Sequence, residues 1–225
     1  MNRTVVVAGG TGGLGSAVTS EFLAAGWRVV VPGRNEATLA ELGSSEALTT
    51  VVADLADPAD VQGVMELASA DEAAPLRALV NLVGGFASGG RVHETPIEDF
   101  EDQLRLNLRP TYLVTQAALP HLIAGGGGAI VCTSSGSALK PFSGAAGYLT
   151  AKAGVLAFVD ALAVEYAKDH IRVNAILPGT IDTAANRRGR PNADTSKWTP
   201  PARIATVVRF LAETDAVTGA HIPVV

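Results

Sequence analysis

A glycine-rich turn between a predicted strand and a predicted helix most constrains the fold of this chain. The turn covers residues 8–15, AGGTGGLG, and follows Thr4–Val7, a β-branched run typical of a buried strand. Residues 16–25 then place apolar side chains at helical spacing. Glycines in such a turn let backbone N–H groups approach a pyrophosphate, and the helix N-terminus adds partial positive charge. The turn therefore predicts a dinucleotide site, with a plain tight turn as the alternative.

Strand and helix patterns alternate along the rest of the chain. The predicted strands cover residues 4–8, 28–32, 49–53, 77–82, 128–134, 171–177 and 220–224. The predicted helices cover residues 14–25, 35–42, 58–70, 96–124, 146–168 and 201–213. This alternation predicts the α/β class: one Rossmann domain over residues 1–225, with a doubly wound, seven-stranded parallel sheet and helices on both faces. Residues 183–200 are polar and lack apolar periodicity, so we expect a substrate-side lid loop or a plain surface loop.

Three polar residues form a candidate catalytic site. Tyr148 and Lys152 are four residues apart, which places them on one face of the predicted helix. The lysine ammonium is expected to lower the pKa of the tyrosine from about 10, so that the phenol exchanges a proton near neutral pH. Ser135 lies thirteen residues before Tyr148 and could hold a substrate oxygen there. The Tyr-x-x-x-Lys pattern is weak alone and gains weight from the glycine turn.

Taken together, these motifs resemble the short-chain dehydrogenase/reductase family. The family's glycine motif matches residues 8–15 with alanine first, and its Asn-Asn-Ala-Gly stretch matches residues 81–84 only at the ends. Its Pro-Gly-x-x-x-Thr segment matches residues 178–183. The resemblance covers nearly the whole chain and implies the catalytic set Asn107, Ser135, Tyr148 and Lys152. In the family, a water links this asparagine, on a kinked helix, to the lysine.

The resemblance also implies which residues bind the cofactor. They come from the glycine turn, the ends of the strands and the catalytic pair: Gly9, Thr11, Gly12, Gly13, Leu14, Gly15, Arg34, Asp54, Leu55, Asn81, Gly84, Tyr148, Lys152, Pro178, Gly179, Ile181 and Thr183. Asp54 and Leu55 match the family's adenine-contacting pair, although Asp54 could instead cap the next helix. Ile181 and Thr183 are implied to contact the carboxamide end of the nicotinamide.

The end of the second strand bears on the choice of cofactor. An acidic residue about 20 positions after the glycines usually holds the ribose 2′-hydroxyl of NAD. Here Gly33 stands at that place and Arg34 follows. A guanidinium binds a 2′-phosphate, whereas a carboxylate repels it, so NADP is favoured. NAD remains possible because Glu36 could serve the ribose, and Arg34 could be an exposed loop arginine.

These residues predict an oxidoreductase that transfers a hydride between NADP(H) and a carbonyl or alcohol, with Tyr148 as proton donor or acceptor. Residues 181–200 look similar to dihydropteridine reductase, so an enzyme of that kind is one alternative. Ser135, which that enzyme lacks, favours a ketone or aldehyde; pterin turnover that survives Ser135→Ala would favour the alternative. A non-catalytic NADP-binding sensor is the other alternative, and the complete Ser-Tyr-Lys set argues against it.

Composition and charge reduce the classes of binding partner that are expected. A net charge of −5 argues against the binding of nucleic acid, and no apolar run reaches the length of a membrane span. The one cysteine, Cys132, fits a reducing cytoplasm, and the four histidines lack metal-ligand spacing, so no metal is predicted. The helix at 146–168 is apolar around most of its circumference, which predicts a homodimer or homotetramer. The expected partner is a small carbonyl or alcohol substrate.

Overall fold

A seven-stranded sheet forms the centre of the computed structural model, which describes residues 2–225. The strands are β1 (Thr4–Ala8), β2 (Arg28–Gly33), β3 (Leu48–Val52), β4 (Leu76–Asn81), β5 (Gly128–Thr133), β6 (Ile171–Pro178) and β7 (His221–Val224). All neighbouring strands are parallel, in the order β3-β2-β1-β4-β5-β6-β7. The predicted doubly wound α/β fold is confirmed.

Eight α-helices connect or follow these strands in the described part of the chain. They are α1 (Gly15–Ala24), α2 (Glu36–Ala40), α3 (Pro58–Ser69), α4 (Ile97–Asn107), α5 (Arg109–Ala124), α6 (Ala146–Glu165), α7 (Ala184–Gly189) and α8 (Pro201–Glu213). Apart from α4, α5 and α7, the predicted helices and strands agree with the structure to within three residues at each end.

Each face of the sheet has its own core, because successive strand side chains point to opposite faces. On β1, Val6 packs with α3, α5 and α6, whereas Val5 and Val7 pack with α1 and α8. Strands covered on both faces read as continuous apolar runs, which explains why the sequence pattern located them.

The strand order reverses between β1 and β4, which are neighbours in the sheet. In open α/β sheets a crevice forms outside the carboxyl ends of the strands at this point, and ligands bind there. The segments that follow β1, β4, β5 and β6 meet at this edge and carry most of the predicted site residues.

The prediction of one helix over residues 96–124 is wrong. Helix α4 ends at Asn107, α5 begins at Arg109, and Leu108 lies between them. Pro110 has no N–H to donate to the carbonyl of Leu106, so the helical ladder is interrupted at this turn. The interruption is the local kink that the family resemblance implies beside Asn107.

The prediction of a loop over residues 183–200 also needs correction, because the segment contains α7. Thr183 caps this helix by accepting a hydrogen bond from the N–H of Asn186 at 3.2 Å. Arg187 pairs with Asp182 through two hydrogen bonds, at 2.5 and 2.7 Å. No residue of α7 is buried, so the helix carries no apolar periodicity by which the sequence could reveal it.

Helix α6 is long and apolar enough, by length and composition alone, to cross a membrane. Six of its residues are buried in the structure, among them Val155, Val159 and Leu162. Core helices with this composition pass the same test, so the observation is weak evidence for a membrane span.

Candidate active site

The glycine turn brings the backbone of β1 and α1 into close contact. Gly9 has φ of 82°, and a side chain at Gly15 would overlap the carbonyl oxygen of Gly9. Helix α1 begins without a side-chain cap and without an acidic residue in its first turn. The positive end of the helix is therefore left without a negative side chain, which fits a pyrophosphate.

Two further segments border this turn. A Cβ at Gly13 would lie 2.9 Å from Cγ2 of Thr183, which follows β6. A Cβ at Gly33, at the end of β2, would lie 3.3 Å from Cγ2 of Thr11. The predicted cofactor residues of β1, β2 and β6 therefore lie together, in an arrangement that fits a dinucleotide.

Arg34 follows Gly33, which borders the glycine turn. It is exposed, and its guanidinium makes no hydrogen bond or ion pair within residues 2–225. The preceding Gly33 has little room for a side chain, because a Cβ there would lie 2.9 Å from Cδ2 of the buried Leu39. An acidic residue at Gly33 would displace Leu39, whereas Arg34 can reach a ligand freely.

Asp54 is not the cap of the next helix, so that alternative for its role is wrong. Asp57 caps α3 instead, accepting a hydrogen bond from the N–H of Ala59 at 2.7 Å. The exposed carboxylate of Asp54 accepts only from the N–H of Ala56, at 3.0 Å, and Leu55 is buried beside it. Asp54 remains available for an adenine contact.

Tyr148, Ser135 and Lys152 come together where β5 meets α6. Tyr148 lies in the first turn of α6, and Ser135 follows β5 closely enough for its hydroxyl to lower the pKa of the phenol. The Ser134 hydroxyl donates instead to the carbonyl oxygen of Lys152, at 2.7 Å, and holds α6 against β5. Of the neighbouring serines, Ser135 is thus available to the phenol, whereas Ser134 is committed to the backbone.

The expectation that Lys152 lowers the pKa of Tyr148 is wrong for this structure. Burial raises the pKa of Tyr148 above its ordinary value of 10.0, and the neighbouring Ser135 hydroxyl only partly opposes that rise. The Lys152 ammonium lies 6.0 Å from the centroid of the Tyr148 ring and donates to the carbonyl oxygen of Thr133 at 3.0 Å. Burial also lowers the pKa of Lys152 to about 8. Both side chains are therefore pushed toward their neutral forms.

Asn107 is fully buried, next to Lys152, and does not lie on a solvated helix face. Its Oδ1 accepts a hydrogen bond from the N–H of Gly85 at 3.1 Å. A Cβ at Gly84 would lie 2.6 Å from that oxygen and 2.9 Å from Nζ of Lys152. The lack of a side chain at Gly84 therefore leaves Asn107 and Lys152 facing the same small space.

The other predicted cofactor residues differ in their burial and in the hydrogen bonds that they already make. Asn81 is buried, and its side chain contacts the hydroxyl of Thr111 at 2.8 Å and the N–H of Val83 at 3.1 Å, so it shapes the loop after β4. Pro178 is buried at the end of β6, Gly179 is exposed, and Ile181 is half-buried.

Two aromatic residues near Tyr148 have no predicted role from the sequence. The Phe86 ring stands edge-on to the Tyr148 ring with centroids 5.0 Å apart, and the Phe142 ring lies 6.2 Å from that of Phe86. Single phenylalanines in loops carry no spacing signal, so only the folded structure reveals this contact. A cavity of about 600 Å³ also adjoins Tyr148.

Comparisons with known proteins agree with this geometry. The family model described as short chain dehydrogenase matches residues 3–194. The 2-(R)-hydroxypropyl-CoM dehydrogenase of Xanthobacter autotrophicus is 33% identical over 96% of this chain and 93% of its own length. The 3-oxoacyl-[acyl-carrier-protein] reductase of Homo sapiens is 32% identical over 100% of this chain and 97% of its own.

A solved structure, ElxO with NADP bound, superposes with a TM-score of 0.91 at 27% identity, covering 100% of this chain and 97% of ElxO. The fold, the matched family model and these relatives agree across nearly the whole sequence. The chain belongs to the short-chain dehydrogenase/reductase family of oxidoreductases.

Proposed function

We propose that the protein transfers a hydride between NADP(H) and a carbonyl or alcohol substrate, with Tyr148 exchanging the proton. The observation that carries this proposal is the meeting of Tyr148, Ser135 and Lys152 at the edge of the sheet that also holds the uncapped α1. The names of the two relatives, an alcohol dehydrogenase and a ketone reductase, support the same chemistry.

The nicotinamide, when bound, supplies or accepts the hydride. In reduction, Tyr148 gives its proton to the carbonyl oxygen, and its raised pKa keeps the phenol protonated at neutral pH. Ser135 donates a hydrogen bond to the same oxygen and stabilises the developing negative charge. Lys152 would hold the nicotinamide ribose, and Asn107 faces Lys152 across the space left by Gly84.

The remaining cofactor residues would act as the family resemblance implies. The turn at residues 9–15 would hold the pyrophosphate, Asp54 and Leu55 the adenine, and Ile181 and Thr183 the carboxamide end. Residues 183–200, with α7, would act as a lid within a single domain.

A substrate screen tests the proposal. We expect NADPH to be oxidised with ketones or aldehydes, and less efficiently when NADH replaces it. The panel should also contain quinones, acyl thioesters and quinonoid dihydropterin. Oxidation with the pterin alone would favour the dihydropteridine reductase alternative, and tight NADPH binding without any oxidation would favour the sensor.

Arg34→Ala tests the choice of cofactor. We expect kcat/KM for NADPH to fall about 10- to 100-fold, because a hydrogen-bonded pair with a charged group contributes roughly 1.5–3 kcal/mol. The value for NADH should change little. Arg203→Ala is the matched control, since Arg203 is an exposed arginine on α8 whose guanidinium donates to the carbonyl oxygen of Val225 at 2.8 Å. Equal losses with both cofactors would contradict a role for Arg34 at the 2′-phosphate.

We further propose a cytoplasmic homo-oligomer. Apolar side chains remain exposed on α5 and α6, including Tyr112 and Val164, and the Tyr112 ring lies 5.7 Å from that of Phe158. A second copy would cover this surface, as the family resemblance implies. Light scattering that gives the 23.0 kDa mass of one chain at micromolar concentration would contradict the proposal.

A further inference from the structure

Half-exposed aromatic rings border the candidate catalytic tyrosine. Phe86, which touches the Tyr148 ring, is 49% exposed, and Phe142 behind it is 45% exposed. Apolar surface grouped beside a reactive hydroxyl marks a place where a ligand removes that surface from water. We call Phe86 and Phe142 the apolar wall.

The two loops that carry the apolar wall are tied to each other. The N–H of Gly89 donates to the carbonyl oxygen of Gly144 at 2.7 Å. Gly144 has φ of 81°, and a Cβ there would lie 2.6 Å from the carbonyl oxygen of Gly89. The loop after β4 and the loop before α6 are therefore joined through backbone groups, which holds Phe86 and Phe142 near each other.

The cavity beside Tyr148 has the same character. Its volume of about 600 Å³ lies within the range of small-molecule sites, and its lining includes Val92, Ile97 and Phe100. Among residues 2–225, the charged side chains that line it are Asp99 and Asp102. No lysine, arginine or histidine of the described residues contributes to the lining.

Basic side chains near the cavity residues in sequence do not belong to the cavity lining. Arg91 and His93 both lie 3.6 Å from the carboxylate of Glu94 and are not part of the lining. Lys140 is exposed on the loop of the apolar wall and does not line the cavity either. Arg105 pairs with Asp102 at 2.6 Å but does not belong to the lining. An anion placed in the cavity would lose hydration and meet the carboxylate of Asp99, and no cation in the lining would compensate.

From these observations we infer that the substrate is an uncharged carbonyl compound with an apolar, preferentially aromatic, body. The inference rests on the proposed function and adds the chemical class of the substrate. The apolar wall and the cavity receive the body of the substrate, while its carbonyl oxygen meets Tyr148 and Ser135. Phe142 is the specificity-determining residue to test, because it belongs to the wall without being in ring contact with Tyr148.

A matched pair of aldehydes tests the inference: 4-methylbenzaldehyde, which is neutral, and 4-carboxybenzaldehyde, which carries an anion on the same ring. We expect kcat/KM with NADPH to favour the neutral aldehyde about 100-fold in the wild type, because no cation lines the cavity to offset the hydration that the anion loses. Phe142→Ala should lower kcat/KM for the neutral aldehyde about tenfold through lost apolar contact. Phe142→Lys should raise the value for the anionic aldehyde about tenfold by supplying a cation.

The matched controls are Phe210→Ala and Phe210→Lys. Phe210 is 55% exposed on α8, which packs against the opposite face of the sheet, so neither control should alter the preference. Equal kcat/KM for the two aldehydes in the wild type would overturn the inference and leave the proposed function standing. Equal effects of the Phe142 and Phe210 variants on the preference between the two aldehydes would likewise overturn the inference and leave the proposed function standing.

Calorimetric titration of the enzyme with NADPH separates the inference from the proposed function. The ligands are 4-methylbenzamide and 4-carboxybenzamide, carbonyl compounds that are not reduced. We expect the neutral amide to bind at least tenfold more tightly. That result together with no aldehyde turnover would support the substrate class and contradict the proposed function. Preference for the anionic amide would overturn the inference whatever the turnover.

Discussion

Tyr148→Phe should lower carbonyl turnover about 1,000-fold and leave NADPH binding unchanged. A positioned proton donor contributes typically ~10²- to 10⁴-fold to such a reaction, and this substitution removes only the hydroxyl. The ring contact with Phe86 remains, so the apolar surroundings should keep their shape. Kinetics at saturating NADPH, with an aldehyde or ketone from the screen, give the turnover number. Fluorescence titration gives the dissociation constant for NADPH.

Tyr166→Phe is the matched control for this substitution. Tyr166 lies at the far end of the same helix, half-buried and remote from Ser135 and Lys152 in the chain. We expect it to retain wild-type turnover. A full rate in Tyr148→Phe would show that another group supplies the proton. A loss of NADPH binding in that variant would assign Tyr148 to the cofactor rather than to the proton transfer.

The direction of the pKa shift at Tyr148 fits reduction better than oxidation at neutral pH. Burial raises the pKa of the phenol, so Tyr148 holds its proton throughout the neutral range and loses it only at alkaline pH. The sequence suggested the opposite shift, from the spacing of Tyr148 and Lys152. Spacing reveals that two side chains share a helix face, but it reveals neither their burial nor the carbonyl of Thr133 that accepts a hydrogen bond from the Lys152 ammonium.

The inner strands of the sheet could be read from the sequence because they are covered on both faces. Strands such as β1 and β5 are then runs of apolar residues, whereas the edge strand β3 has no buried residue. The glycine turn after β1 marks the edge of the sheet where a ligand binds. Helix α7 could not be read in this way, since a capping threonine and the Asp182–Arg187 pair hold it without apolar contacts.

The candidate site was predictable where its residues have fixed spacing, as in the glycine turn and in Tyr148 and Lys152. Phe142 lacks such a signal: it reaches the neighbourhood of Tyr148 only because Gly89 and Gly144 tie two distant loops together. Residues that select the substrate come from loops of this kind, which explains why the reaction class is easier to infer than the substrate.

Lys152→Met should remove a pH-dependent component of stability as well as activity. Lys152 is 5% exposed, and burial lowers its pKa to about 8 from the ordinary value of 10.5. Between these two pH values the unfolded chain holds a proton that the folded protein has lost. The free energy of unfolding of the wild type therefore rises with pH in this window, relative to the variant.

We expect that relative gain to be about 2 kcal/mol between pH 7 and pH 9.5, from the linkage of one group with these two pKa values. Urea denaturation of both proteins at pH 7, 8 and 9.5 measures it. Turnover of the variant at pH 7 should fall about 100-fold or more, since the ammonium that would hold the nicotinamide ribose is gone.

The comparison of the wild type with Lys152→Met controls for the pH dependence of stability that other titrating groups cause. Burial raises the pKa of Cys132 to about 12, so its ionisation in the unfolded chain lowers stability above pH 9 in both proteins. Lys168→Met, at an exposed lysine, should behave like the wild type at every pH. A difference between wild type and Lys152→Met that does not change with pH would mean that Lys152 keeps its charge in the fold. The bond to Thr133 would then compensate the burial, and Lys152 would be a permanent cation beside Tyr148 rather than one that titrates near pH 8.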